Sequence, residues 1–128
     1  MTFLIDQGAD KDAYIKGWEH FTPLTYAIGS EDPQMVELLV DKGADPNKGH
    51  FRGTSINEPM LITVVTGRPY GGEFRNKNEI IKALVKKKQP EVVNAKFNGH
   101  TALYYAEHAK LVDLLTTQIL RNAGAESE

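Results

Sequence analysis

The stretch FTPLTYAIGSEDPQMVELLVDKGADPN, residues 21–47, decides how the chain is read. Thr22 ahead of Pro23 and Leu24 is a helix start. A Thr hydroxyl accepts from a free N–H of the first turn, and Pro in the next position loses nothing because its N–H would have no partner there. A short apolar helix follows through Leu24, Ala27 and Ile28, and Gly29-Ser30-Glu31 breaks it. Asp32-Pro33 repeats the cap-plus-Pro start. Met35, Val36, Leu38, Leu39 and Val40 then recur at helical spacing and predict a second helix with a wide apolar stripe. Gly43 stops it in the position that favours a left-handed residue, and Asp45-Pro46-Asn47 turns the chain outward.

A lone helical hairpin of about thirty residues cannot bury its apolar faces, so it requires copies of itself on either side. The sequence supplies them. Leu4 to Asp12, LIDQGADKD, aligns with Leu39 to Asn47 and reads as the tail of a preceding unit. Glu58-Pro59-Met60-Leu61-Ile62-Thr63 aligns with Thr22 to Ala27. Its second helix is expected over Glu79 to Lys87, with Asn76 or Asn78 as cap and Ile80, Ile81, Leu84 and Val85 as stripe. Thr101-Ala102-Leu103-Tyr104-Tyr105-Ala106 opens a third copy, whose second helix is expected to carry Leu111, Val112, Leu114 and Leu115 inward.

TPLTYA followed by VELLVDKGADPN resembles the ankyrin repeat. The resemblance recurs at a fixed phase over almost the whole chain and implies an all-α, ankyrin-type α-solenoid. Such a fold stacks helix pairs joined by projecting β-hairpin loops, with a concave face that binds proteins and no catalytic residues. The units depart from the family pattern. The usual His after TPL is Thr25, Leu61 and Tyr104 in turn, and Glu58 replaces the capping Thr. The expected layout is one domain over 1–128. It comprises a partial first repeat and loop (1–20), a second repeat (21–57), a third (58–100) with a long inter-helix insertion at 66–78, and a capping repeat (101–128).

Bulk composition narrows the function. A formal charge of −2 argues against a general nucleic-acid or anionic-membrane binder. The absence of Cys removes disulfide frameworks and thiolate chemistry. No apolar run approaches the roughly 20 residues that span a bilayer. Met1 to Ala9 is too short and too acidic for a signal peptide, so a cytoplasmic location is expected. Met1 falls inside what should be a second helix. A natural half-repeat cap and a trimmed chain both account for that, and the second would leave localisation open.

Candidate contact residues concentrate in the loops. The first, AYIKGWEHF at 13–21, carries Trp18 and Phe21, either as exposed anchors or folded back on the helices, and Tyr14, expected to be the more exposed. The second, KGHFRGTSIN at 48–57, should bring Phe51 and Arg52 near its tip. An exposed contact pair and a packed ring beside a solvated Arg are both open. The insertion TGRPYGGEFRNKN is about nine residues longer than its counterpart and is expected at the edge opposite the hairpin tips. Lys86-Lys87-Lys88 complements a helix C-terminus, and Pro90 is expected to end that helix. Asn98-Gly99 is a hairpin turn signal with Phe97 before it. The last helix is expected to end near Ala123-Gly124, with Thr116, Thr117, Gln118, Arg121 and Asn122 forming a polar outer side. The fifth motif residue (Tyr26, Ile62, Tyr105) is expected to line the groove.

His20, His50, His100 and His108 show no metal-helix spacing, no Cys completes a zinc site, and no nucleophile constellation appears. The expectation is a non-catalytic, monomeric adaptor or scaffold that needs no cofactor or metal and binds another protein, not nucleic acid or membrane. Its expected contact set is Tyr14, Trp18, Tyr26, Phe51, Arg52, Phe97 and Tyr105. Two alternatives stay open: an inhibitor or immunity-type protein that blocks a partner enzyme, and a fragment of a larger multidomain protein.

Overall fold

The structure, a computed structural model, describes residues 21–51, 54, 58–67, 72–109 and 112–126. The expectations for Tyr14, Trp18 and Arg52 lie outside them.

Helix α1, Pro23–Gly29, starts as its sequence dictates. The Thr22 hydroxyl accepts from Thr25 N at 3.2 Å, and Thr25 Oγ1 accepts from Thr22 N at 3.2 Å. A buried Thr at the position of the family's His thus closes a capping box that usually needs Glu. Helix α2, Pro33–Asp41, is capped by Asp32, whose carboxylate accepts from Met35 N at 3.2 Å. It ends at Gly43, with φ of 93°. There Ala44 N donates to Leu39 O and Gly43 N to Val40 O, the paired bonds that satisfy the last carbonyls of a helix.

The next pair is α3, Met60–Thr66, and α4, Lys77–Leu84. With Glu58 in place of Thr, α3 has no side-chain cap; the Glu58 carboxylate instead accepts from the Thr63 hydroxyl. Helix α4 starts earlier and ends earlier than the expected Glu79 to Lys87. Asn76 occupies its cap position in a left-handed conformation (φ 59°) without a side-chain cap bond, and Asn78 is committed elsewhere, as described below. Pro90 does not end α4. It is the first residue of a one-turn helix, α5, Pro90–Val93, where a residue lacking an N–H is tolerated.

Strands β1, Lys96–Phe97, and β2, His100–Thr101, pair antiparallel through Asn98 (φ 54°) and Gly99 (φ 83°), the two positive φ values of a tight hairpin turn. Helices α6, Ala102–Glu107, and α7, Leu114–Asn122, complete the described chain.

The second helices stack in the order α2, α4, α7, and α3 packs on α6. Ile80, Ile81 and Leu84 of α4 are at most 2% exposed because helices cover them from both sides. Polar bonds repeat at the junctions. Asn47 Nδ2 donates to Glu91 O at 2.7 Å. In the equivalent place one unit on, Asn94 accepts from Glu126 N at 3.1 Å and donates to Gly124 O at 3.5 Å.

Two expectations are corrected by this packing. In α7 the N-cap is Asp113, and that register turns Thr116, Thr117, Ile119 and Leu120 inward while Val112, Leu114 and Leu115 face water. The anticipated inner and outer faces are therefore exchanged for Val112, Leu114, Leu115, Thr116 and Thr117, whereas Gln118, Arg121 and Asn122 face outward as expected and Leu111 lies outside the described residues. Phe51 is not at an exposed tip. It is 8% exposed, 6.0 Å edge-on from Phe21 and 5.7 Å from Phe74, and a Cβ on Gly29 would come within 3.2 Å of its ring. The described end of the insertion, Gly72 to Asn76, packs on the connection between α1 and α2, the end of the unit away from the hairpin, as expected. Phe74 is 3% exposed against Phe51, Arg75 N donates to the Glu31 carboxylate, and Asn76 Nδ2 donates to Glu31 O.

Lys88 sits where α4 needs its left-handed residue, with φ of 52° and the Lys88 N to Val85 O bond that Gly43 N makes to Val40 O. A side chain there costs roughly 1 kcal/mol relative to Gly. Lys88→Gly is expected to raise unfolding stability by about 0.5–1 kcal/mol, measured by urea denaturation; a loss of stability would show that the conformation is not the one described.

Candidate partner-binding groove

Aligning the units on their first helices places Gly29-Ser30, Val65-Thr66 and His108-Ala109 at one equivalent position, the C-terminal end of α1, α3 and α6. The three ends meet different fates. The α1 end is covered by Phe51 lying over Gly29. The α3 and α6 ends stay open and line a cavity of about 700 Å³ together with Gly72, Glu73, Lys77, Tyr105, Ala106, Asp113 and Thr116. That volume falls in the range of sites that take a ligand or a large side chain.

The far wall of the cavity is a fixed polar network. Asp113 accepts from Leu115 N at 2.9 Å and Thr116 N at 3.4 Å as the α7 cap, and from Asn78 Nδ2 at 3.0 Å; the Thr116 hydroxyl donates to Asn78 Oδ1 at 2.6 Å. Lys77, with its side chain only 10% exposed, lies 3.1 Å from Glu73 and 3.5 Å from Asp113. The Asn78 hydrogen bond, aided by the two backbone N–H groups and by Lys77, holds the Asp113 carboxyl at about 2, below its ordinary 3.8, against the opposing pull of burial. Asn78 therefore joins two units rather than capping its own helix.

Tyr105 and His108 line the cavity and belong to an aromatic cluster that runs away from it. His100, Tyr104 and His108 stack in a ladder, with centroids 3.7 Å apart at 9° and 4.1 Å apart at 23°. Tyr105 meets Tyr104 edge-on at 5.7 Å and donates its hydroxyl to Phe97 O at 2.8 Å. This bond fixes the Tyr105 ring at the cavity.

Of the expected contact residues, Tyr105 and Phe97 come together here, both half-buried. Tyr26 is 51% exposed on α1, whereas Ile62, its equivalent in α3, is 2% exposed and belongs to the core, so the fifth motif position does not line the groove uniformly. Phe51 is removed from the contact surface by its burial. His108, Val65 and Thr66, which line the cavity, were missed by sequence reasoning. The four-residue spacing of His100, Tyr104 and His108 was the available signal for the ladder; nothing in the sequence pointed to Val65 and Thr66.

Among the described residues, no three His, Cys, Asp or Glu side chains are placed to hold a metal ion, and no helix is long and apolar enough to cross a membrane.

A stack of antiparallel helix pairs with a small hairpin and an open face is a helical repeat protein. Residues 19–50 match the family model of the ankyrin repeat, so that unit of the stack is an ankyrin repeat, and the paired helices and hairpin around it are consistent with the same fold. No curated protein and no solved structure matches the chain. Ankyrin repeats generally serve as protein-binding modules and are typically non-catalytic.

Asp113 supplies a test of the polar wall. Its depressed value means that its contribution to stability is present above the unfolded value near 3.8 and is lost as pH falls toward 2. Asn78→Ala is expected to move the Asp113 titration up toward 3.8, read from its side-chain carboxyl carbon by NMR, and to shift acid unfolding to higher pH. An Asp113 titration that does not move would show that Asn78 does not hold it.

Proposed function

We propose that the three described helix pairs act as one ankyrin domain, a non-catalytic module that binds a partner protein at the groove between α3 and α6. The supporting observation is the cavity of about 700 Å³ at two equivalent helix ends, set against the Phe51-covered end of α1. Filling one end with the chain's own rings leaves the later ends to receive a partner's side chain. Tyr105, held by Phe97, offers a rigid aromatic wall, and the exposed faces of Tyr26 and His108 extend the surface. Tyr and similar side chains contribute large contact area at low entropic cost. Tyr14, Trp18 and Arg52 remain part of this proposal as loop contacts.

The test is affinity capture followed by titration of the captured partner. Ala109 is exposed at the cavity, so Ala109→Trp should leave folding intact while filling the space. Affinity is expected to fall about 30-fold or more, the loss typical of blocking an anchor pocket. Tyr105→Ala should weaken binding in the same direction. Undiminished affinity in both would place the contact elsewhere.

A further inference from the structure

The charged groups at the α3–α6 cavity are unequally accessible. Among the described lining residues, Lys77 is the only lysine or arginine, and its side chain is 10% exposed. Its two carboxylate partners lie further out: Glu73 is 74% exposed and Asp113 37%. An incoming group therefore meets carboxylate oxygen before it meets ammonium. One buried cation stands against two carboxylates, so the three groups leave a net negative charge.

The carboxylates differ in how far they are committed. Asp113 accepts from Asn78 and from the Leu115 and Thr116 N–H groups. Glu73 accepts from Lys77 through Oε1. Glu73 thus carries most of the acceptor capacity that a partner can reach.

The aromatic residues of the lining add to this. His108 Nδ1 lies 2.9 Å from Tyr104 O. A carbonyl only accepts, so Nδ1 donates, and in the neutral ring Nε2 is left with a lone pair. His108 is exposed where it lines the cavity. Tyr105 has its hydroxyl engaged by Phe97 O and contributes its ring. The cavity thus offers acceptors, negative charge and aromatic surface, while its own ammonium is already paired.

We propose that the occupant of the cavity is an arginine side chain of the partner protein, its guanidinium at Glu73 and its stem and flat face along Tyr105. This rests on the cavity being the partner site. Charge complementarity selects the occupant. An acidic side chain would bring a third negative charge beside Glu73 and Asp113. A purely apolar one would take water from the Glu73 carboxylate and supply no donor in return. Arginine supplies in-plane N–H donors for the carboxylate, and its planar face stacks on aromatic rings, which a lysine ammonium does not match.

The probe is N-acetyl-arginine amide, titrated at neutral pH into the full 128-residue chain, with the amide NMR signals of Thr66, Gly72, Glu73, Ala109 and Thr116 followed. Saturable shifts at these amides are expected, with a dissociation constant on the order of 1–10 mM for a single side chain. N-acetyl-citrulline amide has the same shape without the charge and is expected to bind at least about fivefold more weakly. Raising salt from about 20 to about 500 mM should weaken arginine and leave citrulline unaffected. Glu73→Gln should bring arginine down to the citrulline level. Because Glu73 is exposed, the thermal melt of this variant should be little changed. Citrulline or N-acetyl-leucine amide binding as tightly as arginine, or undiminished arginine affinity in Glu73→Gln, would overturn the proposal and leave the cavity as a site for another side chain. No shift with arginine at about 50 mM, well above the expected dissociation constant, would overturn it as well. Whether the cavity is the partner site at all is decided separately, by the effect of Ala109→Trp on the captured partner.

Discussion

Ile80, Ile81 and Leu84 are shielded from water by helices on both sides of α4, and the rest of the fold depends on that arrangement. No single pair could achieve it. Burying an Ile or Leu side chain contributes about 1.5–3 kcal/mol, and most of that contribution here comes from neighbouring units rather than from the helix's own partner. Stability therefore grows by nearest-neighbour contact, and each first-helix end is left on one face of the stack, where it is free to vary. The groove is a by-product of the way the core is built.

The polar groups follow the same logic. Asn47, Asn78 and Asn94 each bond across a junction. An Asn side chain reaches both a donor and an acceptor on the adjoining unit, so it fixes the offset between layers that apolar packing alone would leave loose. The Lys86 pairings with Glu37 and Asp41 lie at the solvent surface, where ion pairs add little stability, and they serve better as a record of which edge faces which.

Helix starts were legible because they depend on local chemistry. Thr22, Asp32 and Thr101 cap helices through their own side chains, and Asn98-Gly99 forms its turn for reasons confined to two residues. Features set by tertiary contact were not legible. Leu114 and Leu115 match an inward stripe in composition, but the Asp113 cap fixes the register one step away from that pattern and turns Thr116 and Thr117 inward. Phe51 lies in a loop whose sequence suits exposure; it is the small Gly29, with Phe21 and Phe74 at either side, that makes a place for the ring. Of the site, Tyr105 and Phe97 were readable from motif position, whereas the cavity itself is bounded by residues from three stretches that no local pattern joins.

The layered packing is tested most directly by native-state hydrogen exchange. If α4 is held by its neighbours on both sides, the amides of Ile81, Ala83 and Leu84 should be among the slowest to exchange and should open only with global unfolding, tracking denaturant in parallel with those of α2. Amides of α4 that exchange through a local opening, independently of α2 and α7, would contradict the account.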